Sequence, residues 1–152
     1  MNVEIKELGE RRIATLPHVG PYDQISEAFV RLGAIARKKG LEGRATQMLA
    51  VFHDDPTTTP PAELHSDAGL VVPPEAEIPK GLGELRLPPG RYACTMHVGP
   101  YEELGEIWER FKSEVPRTGH RMTDGLSYEV YRNTPETAPK EKLETELYIP
   151  VA

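Results

Sequence analysis

Apolar residues along the chain follow two alternating rhythms. Residues 3–8 (Val3-Glu4-Ile5-Lys6-Glu7-Leu8) place apolar side chains at every second position through Ile5, the period of a strand with one buried face. Residues 12–18 read the same way after Gly9-Glu10-Arg11, which predicts a turn and an antiparallel hairpin between the two runs. At Gly20-Pro21 the period changes. Ile25, Ala28, Phe29, Leu32, Ile35 and Ala36 recur at helical spacing, Arg37-Lys38-Lys39 put positive charge on the last turn, and Gly40 stands where a helix C-cap belongs. The apolar run 48–52 and residues 63–72 read as two further strands, separated by a loop rich in Asp, Thr and Pro.

The same order then returns. Residues 85–87 and 91–98 predict a hairpin across Pro88-Pro89-Gly90. A helix is expected from Pro100 to about Val115 on the stripe Leu104, Ile107, Trp108, Phe111, Val115, with strands near 127–132 and 143–151. The return is also a return of residues. Arg12-Ile13-Ala14-Thr15-Leu16-Pro17-His18-Val19-Gly20-Pro21-Tyr22 and Arg91-Tyr92-Ala93-Cys94-Thr95-Met96-His97-Val98-Gly99-Pro100-Tyr101 share seven of eleven positions at a spacing of 79. Without a gap, the spacing goes on to pair Phe29 with Trp108, Ala50 with Glu129, Phe52 with Tyr131 and Asp67 with Glu146. Self-similarity at a fixed period marks repeated supersecondary units, and two copies are too few for a solenoid. The expected fold is therefore α+β. One domain is built of two β-β-α-β-β modules, residues 1–72 and 84–152, joined by a linker at 73–83. The modules are expected to be related by a pseudo-twofold axis, with a mostly antiparallel sheet and both helices on one face.

Composition narrows the function classes. A net charge of −6 argues against direct nucleic-acid binding, which asks for a basic patch or stripe. No apolar run reaches membrane-spanning length, and Met1 is followed by no basic and apolar leader, so the reading is a cytoplasmic protein away from the membrane. The single Cys94 excludes an internal disulfide framework. Neither phosphate-binding nor dinucleotide-binding fingerprints are present, nor is zinc-ligand spacing, so no cofactor and no metal are expected.

The repeat singles out one position for chemistry. Side chains two apart on a strand share a face. If Val51 and Val130 face the helices, then Met48, Ala50, Phe52, Ser127, Glu129 and Tyr131 share an uncovered face, which would serve as a groove or contact surface. Glu129 stands there where the first copy has Ala50. A carboxylate beside aromatic rings suits a cationic organic ligand through charge and cation–π attraction. The candidate ligand-binding residues are Glu129, Tyr131, Tyr128, Phe52, Met48 and Trp108, although core packing is the first expectation for Trp108 on its stripe. His18 and His97, kept in both copies, are expected to serve the strand-to-helix turn. Tyr22 and Tyr101 are given the same structural role. His53-Asp54-Asp55 before Pro56 is expected to be turn chemistry.

The doubled His-Val-Gly-Pro-Tyr, with Asp54-Asp55-Pro56 and Tyr128-Glu129-Val130-Tyr131, resembles the gyrase-inhibitory-protein-like (GyrI-like) family, also described as the effector-binding domain of AraC-type transcription activators. The resemblance covers nearly the whole chain. It implies a tandem fold with a ligand cleft between the halves, small and often cationic or aromatic ligands, and a carboxylate in the last third of the chain that Glu129 matches. Three functions follow as expectations. The first is a stand-alone small-molecule-binding or sensing domain. The second is a hydrolase of reactive small molecules with Glu129 as its catalytic acid–base group. The third is a protein-interaction module that meets DNA gyrase.

Overall fold

A computed structural model describes residues 1–41, 43 and 47–152. Its strands are β1 (Glu4–Leu8), β2 (Arg11–Val19), β3 (Gln47–Phe52), β4 (His65–Val72), β5 (Gly83–Leu87), β6 (Gly90–Val98), β7 (Ser127–Tyr131) and β8 (Glu144–Pro150). Two helices, α1 (Ser26–Lys38) and α2 (Leu104–Glu114), are each preceded by a short 3-10 turn, Tyr22–Gln24 and Tyr101–Glu103. Among the described residues, no helix is long and apolar enough to cross a membrane.

The chain divides into two compact units, Glu10–Pro88 and Met1–Gly9 with Pro89–Ala152. In the first the strands run β3-β4-β2-β5, and in the second β1-β6-β8-β7, with antiparallel pairing inside each unit. The fold is α+β with mostly antiparallel sheet, as the alternation predicts.

The two hairpins expected from sequence do not form. β1 pairs with β6, setting Ile5 opposite Ala93, and β5 pairs with β2, setting Leu85 opposite Ile13. The reason lies in the repeat. β2 and β6 offer nearly the same edge, and the registers match at the spacing of 79: Leu87 stands opposite Arg11, and Leu8 opposite Gly90. Alternation identifies a strand that suits such an edge, but it cannot say which of two equivalent edges the strand will take.

Each helix buries one stripe. α1 sends down Ala28, Leu32 and Ala36, and ends in a Schellman arrangement with Gly40 at φ 72°. There Leu41 N–H donates to the Ala36 carbonyl at 2.8 Å and Gly40 N–H to that of Arg37 at 3.3 Å. Leu41 also joins Ala14, Ala36, Val72 and Ala76 in the core. The segment read as a linker thus contributes to this core, with Ile78 and Leu82 packed beside Ala76. Arg12 holds it down, donating to the carbonyls of Pro73 (3.1 Å), Pro74 (3.3 Å) and Ala76, and to the Glu84 carboxylate. In the second unit α2 packs Leu104 and Phe111 on Ala93, Leu147 and Ile149.

Gly69 shows how tightly the first sheet is filled. A Cβ there would lie 2.6 Å from Ile13 Cγ2 and 3.1 Å from Leu49 Cδ1. Gly69→Ala is expected to lower stability by about 1–3 kcal/mol through overpacking, read as a fall in the urea midpoint at unchanged m-value.

Candidate functional site

The site is built on β7. Glu129 stands opposite Leu147, and Leu147 packs against Phe111 and Leu104 of α2. Glu129 therefore points toward the helix. The expectation of an open, helix-free face is overturned. In the first unit the row Met48, Leu70, Ala14 likewise lies on the helix side, because Ala14 and Leu70 pack with Ala36 of α1. A period of two groups residues by face without saying which group the helix covers. The apolar Val51 and Val130 had been given the helix side, and it is the carboxylate that occupies it.

What makes this possible is donation from above and alongside. Glu129 is 5% exposed. Trp108 Nε1–H donates to its Oε2 at 2.6 Å, and Tyr131 Oη–H donates to its Oε1 at 2.7 Å. Trp108 is only half-buried, contrary to the core role expected for it. Phe111 and Leu104 carry the core, while the indole leans from the stripe toward the carboxylate, its ring 5.8 Å from that of Phe111. Tyr101, on the turn before α2, sets its ring edge-on to Tyr131 at 5.7 Å. Three half-exposed rings thus surround a buried carboxylate whose two hydrogen-bond donors are both neutral. Burial pushes the Glu129 carboxyl above its ordinary pKa, and the Trp108 and Tyr131 hydrogen bonds pull it part of the way back. Burial, and then the charge of Glu129, hold Tyr131 well above the usual phenol range and raise Tyr101.

Of the six residues selected from sequence, Glu129, Tyr131 and Trp108 come together. Tyr128 is adjacent in sequence to Glu129 and so points to the opposite face, where it is 1% exposed and stacks on Tyr148 at 4.8 Å with Tyr92 edge-on at 5.7 Å. Met48 and Phe52 belong to the other unit, where Phe52 packs on Tyr22 at 4.7 Å. Tyr101 was given a structural role at the turn. The signal for its further role was there, since the repeat aligns Tyr101 with Tyr22 and Tyr131 with Phe52, and both pairs meet.

The histidines divide as their surroundings dictate. His18 Nε2–H donates to the Pro21 carbonyl at 3.1 Å, serving the turn. His97 Nε2 lies 3.2 Å from Glu103 Oε1 without the alignment of a hydrogen bond. Asp55 accepts from the backbone N–H of Thr57 at 2.9 Å, the turn chemistry expected of it. His53 does more than mark a turn: its Nε2–H donates to Asp67 at 2.6 Å beside a shallow depression of about 360 Å³ lined also by Pro17, His18, His65 and Ser66. Among the described residues, no group of three or more His, Cys, Asp and Glu side chains is placed to hold a metal ion.

Residues 1–152 match the model of the GyrI-like small molecule binding domain. The chain belongs to that family. It is 32% identical over 139 residues to a DNA gyrase inhibitor of Yersinia enterocolitica, covering 88% of this chain and 87% of that one. Two solved GyrI-like neighbours share the fold. The EcmrR C-terminal domain aligns with a TM-score of 0.79 at 15% identity, covering 99% of this chain and 97% of its own. SAV2435, solved bound to tetraphenylphosphonium, aligns with a TM-score of 0.66 at 12% identity, covering 100% and 94%. At such identities these neighbours speak for the fold alone.

Two titrations check the electrostatics. The folded Glu129 has the higher pKa, so the native chain takes up a proton before the unfolded chain does. Native stability relative to Glu129→Gln is therefore lowest above the raised pKa and recovers as pH falls toward the ordinary value of 4.5. Urea titrations at pH 8, 6 and 4.5 should show the advantage of the Gln variant shrinking with each step. The hydrogen bond to Asp67 likewise raises His53 above 6.5. Its stabilising contribution is complete below 6.5 and is lost as pH rises through the raised value. In NMR titration Asp67→Asn should lower the His53 midpoint.

Proposed function

We propose that the chain binds small organic cations, preferably with aromatic substituents, and that Glu129 is the charge they seek, walled by Trp108, Tyr131 and Tyr101. One observation carries the reading: a carboxylate out of water, met by neutral donors only and ringed by half-exposed aromatic side chains. Desolvating a carboxylate without a counter-charge is costly, so a cation arriving there regains what the fold gave up. Aromatic faces attract the same cation through their quadrupoles. Tetraphenylphosphonium, held by the SAV2435 neighbour, has this chemistry and is consistent with it. The function is then that of a sensing or sequestering domain like the effector-binding domains of regulators.

Two finer readings belong with it. The matched registers of β2–β5 and β6–β1, and the Gly20 N–H to Leu64 carbonyl bond repeated from Gly99 to Leu143 at the same 2.8 Å, favour an origin by internal duplication with pseudo-twofold symmetry. In such a pair the first copy keeps Ala50 and remains structural, and the second carries the charge. A hydrolytic role is also consistent with a carboxyl that holds its proton toward neutral pH, as a general acid does. The name of the Yersinia relative supports a further reading, contact with DNA gyrase.

Isothermal titration with tetraphenylphosphonium and a neutral isostere separates these readings. Glu129→Gln should weaken the cation by about 1–3 kcal/mol, roughly tenfold to a hundredfold, and the isostere much less. Equal affinity of both proteins for the cation would remove Glu129 from the site. Appearance of product from a hydrolysable cationic ester would move the hydrolase reading to first place.

A further inference from the structure

The Glu129 carboxylate is satisfied without a ligand. Both of its oxygens already accept a hydrogen bond, and 95% of the residue is covered. Neither described depression includes it among its lining residues. A cation must therefore displace something to approach it. The two donors differ in how freely they can leave. Tyr131 is two residues along the same strand, its backbone tied by antiparallel pairing with Thr145. Its hydroxyl follows β7 and can move only with the strand. Trp108 comes from a different element, the exposed side of α2. It lies half out of the core, and the residues that anchor that helix are Leu104 and Phe111. Rotation about its side-chain bonds would remove the indole N–H from Oε2 while leaving the helix packed.

We infer that Trp108 is the gate of the Glu129 site, its indole N–H standing in for the ligand on the carboxylate and giving way when an organic cation binds. The inference rests on the cation-binding reading above. The indole hydrogen bond keeps the empty site ionisable and free of an unmet charge, and at the same time competes with every ligand. Selectivity follows. A weak or poorly fitting cation does not displace the indole, and one that gains both the charge and the aromatic contacts does. The groups that face the carboxylate are Trp108 from α2, Tyr131 from β7 and Tyr101 from the turn before α2, with Glu136 acting on Tyr101.

Trp108 is the only tryptophan in the chain, so the gate reports on itself. With tetraphenylphosphonium at pH 8 and excitation at the red edge of indole absorption, saturation should shift emission of the wild-type protein to longer wavelength and raise quenching by acrylamide. Trp108→Phe keeps a ring and removes the donor. Its affinity for the cation should rise about two- to tenfold, the ratio that corresponds to one hydrogen bond of ordinary net strength. The pH at which cation binding is half lost should move upward, because the carboxylate has lost a donor that favours its charged form. Unchanged emission and quenching at saturation, or equal or weaker binding by Trp108→Phe, would overturn the gate, weaker binding showing a wall residue in its place. The wild-type fluorescence result stands whether or not the variant folds. Failure of Glu129→Gln to weaken the cation would instead fell the binding reading itself, and the gate with it.

Discussion

A carboxylate taken out of water must be met by donors, and the second unit is arranged around meeting one. The position of α2 over β7 and β8 brings an indole within 2.6 Å of Glu129. The spacing of two residues along β7 brings a phenol within 2.7 Å from the same face. Neither donor carries charge, and that decides the chemistry. An arginine or lysine in the place of Trp108 would complete an ion pair and close the site to cations. Neutral donors stabilise the anion enough for it to exist while leaving its charge uncompensated. The raised carboxyl pKa and the raised phenols of Tyr131 and Tyr101 are two views of that single uncompensated charge in a poorly solvated place.

The first unit shows what the same design does without the charge. Ala50 stands at the position of Glu129 and is fully buried. Phe52 stands for Tyr131 and packs on Tyr22 at 4.7 Å, closer than Tyr101 and Tyr131 approach each other in the second unit. Losing the phenolic hydroxyl and the carboxylate together leaves nothing polar to be satisfied. Another substitution runs the other way. The His53–Asp67 pair of the first unit becomes Arg132–Glu146 in the second, so a cation that titrates near neutral pH is replaced by one that does not.

Much of this was legible in the residues. The alternation of Ser127-Tyr128-Glu129-Val130-Tyr131 named the members of one face, and the contrast of Glu129 with Ala50 named its chemical centre. The side taken by the helix was not legible, because period two carries no sign and hydrophobicity pointed Val130 inward. Both faces of β7 are in fact buried, Val130 and Tyr128 on one and Glu129 on the other. Trp108 was read as core from its stripe, since a helical period cannot distinguish a ring that ends in the core from one that leans to a polar partner. The pairing of β1 was hidden by the likeness of the two edges open to it. Tyr128 shows the limit most simply: nearness in sequence to Glu129 is, on a strand, separation to opposite faces.

The crossing of the chain between units has a consequence for how the protein is made. β1 is the first strand synthesised, and its partner β6 begins more than eighty residues later. Glu10–Pro88 contains every strand of its own sheet and can close as soon as β5 has emerged, whereas the other unit needs both ends of the chain and closes last. Until then the β6 edge is open, a template that any strand of suitable alternation can occupy, including β1 of another copy. The N-terminal residues are thus the final piece of the unit that holds Glu129. An extension placed ahead of Met1 acts on the assembly of that unit, far from it in sequence.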